Sequence, residues 1–229
     1  TLPVDNRGMF DPDQVDSAVH TDGTNYPRTT LVALENTHNA AGGVPLTPEN
    51  MKSVADVAHG HGLPVHVDGA RLFNASVALE TPVTELVKDI DSVTFCLSKG
   101  LGAPVGSLLC GTNEFIDEAR RWRRMLGSGM RQAGVIASAG IVALDTMVDR
   151  LAEDHSNARR LSTGLAEIPG IAIDPDAFQT NLVFFTVKYS NHDEITRKII
   201  EQGVLLGARG GGYCRMVTHA DVTSDDVDY

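Results

Sequence analysis

Three apolar runs, each closed by polar residues, restrict this chain more than any other feature. Residues 30–35 read TLVALE and are followed by Asn36, Thr37, His38 and Asn39. Residues 63–67 read LPVHV and are followed by Asp68, Gly69, Ala70 and Arg71. Residues 93–97 read VTFCL and are followed by Ser98 and Lys99. Short continuous apolar runs fit strands buried on both faces, as parallel sheets require. Helical spacing fills the gaps between them. Thr47 caps a stretch that opens with Pro48 and Glu49 and carries Met51, Val54, Ala55, Val57 and Ala58 on one face. A second helical stretch runs from the DGAR turn to about Val87. Strand, helix, strand, helix, strand predicts a mostly parallel, helix-covered α/β sheet, with polar side chains gathered at the carboxyl ends of its strands.

The remaining chain extends this plan. Asp11, Pro12 and Gln14 open a short helix to about Val19. After Lys99 comes a glycine-broken turn (Gly100, Gly102, Pro104, Gly106) and a second apolar run, 107–110. Residues 113–126 read as a helix, and GSGMRQAG (127–134) breaks it. A long helical region then passes without a strong break to Pro169-Gly170. Strand-like 171–173 and 182–187, a helix over 192–203, and strand-like 204–207 and 213–218 follow. The expected division is a large domain over 1–150 and a smaller C-terminal α/β domain over 151–229. Both ends read as cut. The chain opens on TLPV, the tail of a strand, and closes one turn after the helix cap Ser224.

Charge and cysteine usage narrow the partners. Nineteen basic against thirty acidic residues give −11, which argues against a phosphate-backbone partner. The basic cluster Arg120, Arg121, Arg123 and Arg124 around Trp122 is the exception; it is a solvated helix face or an anion or subunit contact. Cys96, Cys110 and Cys214 are odd in number and widely spaced, which fits reduced thiols in a cytoplasmic protein better than a disulfide frame or a metal site. No run is long enough to span a bilayer as a helix, and no signal-peptide pattern is present.

Lys99, just past a buried strand, is expected to be partly desolvated, which favours the neutral amine that attacks a carbonyl; the alternative is a plain surface lysine. Asp68 with Arg71 could form a core ion pair. Taken together, Lys99, Asp68, Ser98 and Arg71 match the needs of a pyridoxal cofactor. These are an amine for the Schiff base, a carboxylate for the pyridine nitrogen, a hydroxyl for the phosphate and a donor for the 3′-oxygen.

The segments LENTHN (34–39), HVDGARLFNA (66–75), CLSKGLGAPVGSLL (96–109), WRRMLGSGMRQAG (122–134) and RMVTH (215–219) together resemble the low-specificity L-threonine aldolases, from about residue 10 to the end. That family belongs to the β-eliminating lyase group. The resemblance implies the PLP-dependent transferase fold of type I (the aspartate-aminotransferase fold), here incomplete, and pyridoxal 5′-phosphate as cofactor. It implies cleavage of L-threonine and L-allo-threonine to glycine and acetaldehyde, and thus a place in threonine catabolism and glycine biosynthesis. Lys99 would be the catalytic, cofactor-bound lysine. Asp68 and Arg71 would hold the ring, and Ser98 and Arg131 (with Arg124) the phosphate or the partner chain. Arg215 would bind the substrate carboxylate, with His38 and Asn36 beside it. A cytoplasmic homotetramer, a dimer of dimers with shared active sites, is implied, with no membrane or nucleic-acid partner. The chain departs from the family in lacking the N-terminal glycine/threonine phosphate cup and ring-stacking histidine. It also carries Asn25 where many members have a histidine. The alternatives are another pyridoxal β-eliminating lyase, a phenylserine aldolase, or a fragment acting only as a binding or assembly module.

Overall fold

The computed structural model describes residues 1–5, 7–21, 23, 25–177 and 180–229. The first sheet has the order β1-β2-β3-β4, formed by Val32–Glu35, Val65–Gly69, Ser92–Cys96 and Ser107–Gly111. β1, β2 and β3 are parallel, and β4 returns antiparallel along the edge. The parallel order follows from the crossovers: α2 (Pro48–Gly60) joins β1 to β2, while α3 (Leu72–Ala78) and α4 (Val83–Leu86) join β2 to β3. α1 (Pro12–Ser17) precedes β1, with the Asp11 side chain accepting from the Asp13 N–H.

α2 shows how pattern becomes core. Thr47 accepts from the Asn50 N–H and Pro48 occupies the first turn. Met51, Val54, Ala55 and Ala58 then face Val65, Val67, Leu34 and Leu72 in one buried cluster. Each fully buried Met or Val side chain there contributes about 1.5–3 kcal/mol. Across the paired strands, side chains alternate: Leu34, Val67 and Val93 enter that core, while Glu35, Asp68 and Thr94 point to the other face.

α5 (Asn113–Met125) and α6 (Gly134–Thr146) are different. β4 and α5 have no buried residue, and Trp122, Met125, Leu126, Val135, Ile141 and Val142 are all exposed. The helix expected to run unbroken from 135 toward Pro169 is two helices. α6 ends at Thr146 and α7 (Leu151–Ala166) begins after a turn. Residues 147–150 carry no Gly or Pro, so the break is set by tertiary packing: Leu151 is fully buried against the Lys99 loop. The stretch expected after the DGAR turn likewise splits into α3 and α4, where Glu80 takes a positive φ of 50° ahead of Pro82.

The second sheet has the order β5-β6-β8-β7, with Ile171–Ala172, Leu182–Val187, Tyr213–Val217 and Gly207–Ala208. It is antiparallel at every pairing. The strand expected over 204–207 is displaced to β7, because the three residues after α8 (His192–Glu201) are spent on the helix exit and Gly203 sits at φ 94°. α9 (Ser224–Asp228) is held by a complete Thr223/Asp226 capping box, and Asp228 accepts from Arg160 Nε at 2.6 Å. α7 packs on α3 and on the second sheet. His155 Nε2 lies 3.0 Å from Asn74 on α3, and the Asp154 carbonyl accepts from Thr218 at 2.7 Å. Thr180 also donates to the Gly43 carbonyl at 2.6 Å, a second tie between the two sheets.

Candidate active site

Glu35, Asp68 and Thr94 are register partners across β1, β2 and β3 and lie at the carboxyl edge of the sheet. Asp68 is exposed there, and its Oδ1 accepts only a local bond from the Ala70 N–H at 3.0 Å. Gly69 is required beneath it: an added Cβ would lie 2.7 Å from the Thr94 carbonyl oxygen and 3.0 Å from Leu72 Cβ. The chain therefore turns sharply into α3 with Arg71 at its head.

Lys99 follows β3 on a loop pinned from both sides. Leu97 and Leu101 are buried in one cluster with Ala143 and Leu151, while Ser98 and Lys99 between them are exposed. The loop closes by Leu97 N–H to the Gly106 carbonyl (3.0 Å) and Gly102 N–H to the Lys99 carbonyl (2.9 Å). Gly102 and Gly106 both take positive φ, which explains the glycine spacing. Gly100 packs on Asn74 and Leu151; a Cβ there would meet Leu151 Cδ2 at 2.8 Å. The desolvation expected at Lys99 is not supplied by this chain, because the turn carries the side chain past the covered strand into solvent. The segment after β3 and the DGAR turn pack against each other around a void of about 10 Å³ lined by Arg71, Phe73, Asn74, Cys96, Gly100 and Leu101.

Arg71 is half-buried, and its Nε is buried without a hydrogen-bond partner among the described residues. The core ion pair with Asp68 is not formed among them either: Asp68 is exposed and bonded only locally. Burial, and then the nearby Arg215 guanidinium, lower the Arg71 pKa below the ordinary guanidinium value, with Glu35 and Cys96 opposing. Arg215 comes from β8, paired with Phe184 and Gly207, and reaches across to the first sheet. Its Nη1 donates to Asn39 Oδ1 at 3.3 Å, and the Asn39 N–H donates to Glu35 Oε2 at 3.2 Å. Arg215, Asn39 and Glu35 thus form a chain of contacts from β8 to the end of β1, with Arg71 near both Arg215 and Glu35.

Other expected residues have different surroundings. Asn36 is fully buried, with its amide bonded to both the N–H and the carbonyl of Leu46 at 3.1 Å and to Met51 Sδ at 3.2 Å. Committed inward, it shapes the turn after β1. His38 Nδ1 accepts from the Ala41 N–H at 3.1 Å, and its ring lies 6.1 Å from Phe10. Ser98 Oγ is 3.5 Å from the Gly106 carbonyl. Arg131 is exposed in the turn before α6 and forms no ion pair among the described residues. Sequence reasoning left Glu35 and Asn39 unassigned. Period-two alternation from Leu34 marks Glu35 as facing away from the core, but only the register places it beside Asp68.

The chain is 41% identical to low-specificity L-threonine aldolase 1 of Arabidopsis thaliana, matching over 100% of this chain and 65% of that protein. It is also 41% identical to the low specificity L-threonine aldolase of Escherichia coli K12, over 99% of this chain and 63% of that protein. The chain thus spans somewhat less than two thirds of the length of these relatives. Its fold matches the threonine aldolase of Leishmania major with a TM-score of 0.78 at 18% identity, over 99% of this chain and 66% of that one. Residues 1–188 match the beta-eliminating lyase family, and the chain belongs to it.

Proposed function

We propose that the protein carrying this chain is a pyridoxal 5′-phosphate-dependent carbon–carbon lyase that cleaves L-threonine and L-allo-threonine to glycine and acetaldehyde. The observation that carries the reading is the arrival of Asp68 at the carboxyl edge of β2, of Arg71 with its unpartnered buried Nε at the head of α3, and of exposed Lys99 on the pinned loop after the neighbouring strand β3. The residues fit the cofactor. Arg71 offers a buried, unsatisfied Nε–H to a ring oxygen, and Asp68 offers a carboxylate with free acceptor capacity to a protonated ring nitrogen. Lys99 offers an amine on a pinned loop, with Ser98 and Arg131 as donors toward the phosphate.

When bound, the cofactor supplies an aldehyde for the substrate amine and a ring that accepts electrons from the breaking Cα–Cβ bond. Asp68 holds a proton on the ring nitrogen. Lys99 would hold the cofactor through its amine, the group on this chain able to bond an aldehyde. Arg215 would bind the substrate carboxylate and so orient the substrate in the site. His38 and the turn shaped by Asn36 border the carboxylate end. The named activities of the relatives support the substrate.

A homotetramer is part of the same reading, supported by the exposed apolar residues of α5 and α6. A reducing, cytoplasmic setting is supported by three free thiols. Among the described residues no helix is long and apolar enough to cross a membrane. In the protein expressed from its complete gene, Lys99→Ala is expected to abolish the visible imine band and acetaldehyde release. Retention of both would overturn the assignment.

A further inference from the structure

We propose that Asn39, held by Glu35, is a positioning residue for Arg215 and sets the site's preference for a free α-carboxylate. The inference rests on the reading of Arg215 as the carboxylate-binding group. Arg215 belongs to the second sheet, and its side chain must cross to the first sheet to act beside Asp68. A long, rotamer-rich arginine that crosses a gap loses selectivity unless something fixes its end. Asn39 Oδ1 accepts from Arg215 Nη1 at 3.3 Å, and among the described residues it makes the only side-chain hydrogen bond to that guanidinium.

Asn39 is itself fixed. Its backbone N–H donates to Glu35 Oε2 at 3.2 Å, within a turn closed by His38 N–H to the Val44 carbonyl (2.8 Å) and Gly43 N–H to the His38 carbonyl (2.9 Å). Glu35 stands at the end of β1 directly opposite Asp68. A carboxylate facing a carboxylate is unfavourable unless a cation offsets it. The Arg71 guanidinium is close enough to do so. Glu35 therefore has two tasks: it balances Arg71 and it anchors the residue that aims Arg215. A neutral amide suits the end of this relay. It holds one Nη while leaving the rest of the guanidinium fork for a bidentate carboxylate, and it carries no charge that would compete for the cation.

The test uses the protein expressed from its complete gene, loaded with pyridoxal phosphate, in native form and as Asn39→Ala, Asn39→Asp and Glu35→Gln. Binding of glycine and of glycine methyl ester is read from the change in cofactor absorbance, alongside KM, kcat and cofactor affinity. Asn39→Ala is expected to weaken glycine binding and raise the KM for L-threonine about 10- to 100-fold, the worth of a charge-assisted hydrogen bond. Affinity for the ester, kcat and cofactor affinity should stay within about threefold, the pattern of lost uniform binding. Asn39→Asp keeps the acceptor and should recover the guanidinium's aim, while its added charge weakens glycine relative to ester. Glu35→Gln should produce a smaller loss in the same direction. Equal losses for glycine and ester, or a parallel fall in cofactor affinity and melting temperature, would overturn the proposal by showing a general structural role. If the native protein binds glycine but does not cleave L-threonine, the proposed reaction fails while the positioning role is still decided by the glycine-to-ester ratio.

Discussion

The two sheets contribute to the site in opposite ways. In the first, three parallel strands joined by two successive crossovers end side by side, so Glu35, Asp68 and the Lys99 loop arrive at one edge. In the second, antiparallel strands send neighbouring ends in opposite directions, and one side chain, Arg215, reaches the site from the middle of β8. Parallel topology collects groups; the antiparallel sheet lends one. The groups proposed to face the cofactor therefore share one rigid frame, whereas the arginine proposed to face the substrate is only as well placed as the seam between the sheets.

That contrast is open to attack at its strongest point first. Asp68→Asn should lower turnover by about 100- to 1,000-fold, measured as acetaldehyde release, since it removes a fixed charge where the reaction draws electrons. Arg215→Lys should instead raise the KM about 10- to 100-fold and spare cofactor affinity, because a point-charge ammonium cannot replace a bidentate fork. Similar profiles for the two variants would remove the division of labour between the sheets.

The seam is the next target. Leu151 is fully buried against Leu97 and Leu101, on either side of Lys99. Leu151→Ala should cost about 2–5 kcal/mol in denaturant unfolding and loosen the Lys99 loop. His155 sharpens the same point through pH. Burial pushes its imidazole from 6.5 down to about 4, so the unfolded chain takes up a proton that the folded chain refuses. The stabilising effect of keeping it neutral is complete above pH 6.5 and is lost as pH falls toward 4, by about 2–3 kcal/mol at the lower end. Urea midpoints over that range should show the slope, and His155→Gln should flatten it.

Much of this was legible in the chain. Apolar runs closed by polar clusters announced three parallel strands with chemistry at their ends, and the glycine spacing after Lys99 announced its loop. Local preferences decide both: buried strands need continuous apolar residues, and positive φ needs glycine. Other features were illegible because they depend on residues far apart in the chain. The breaks after Thr146 and near Glu80, the shift of β7 and the inward commitment of Asn36 follow from which neighbours occupy the available space. So does the exposure of Lys99, which pattern alone would have covered.

By itself the sequence determined the alternation of strands and helices, the turn geometry at Gly102 and Gly106, and the identities of the amine, the acid and the guanidiniums. Only the tertiary structure decided that Glu35 faces Asp68, that Arg71 feels Arg215, and that Asn39 stands between the two sheets. Those relations need strand register and the docking of α7 between α3 and the second sheet, and free energy of that kind exists only once distant segments have packed.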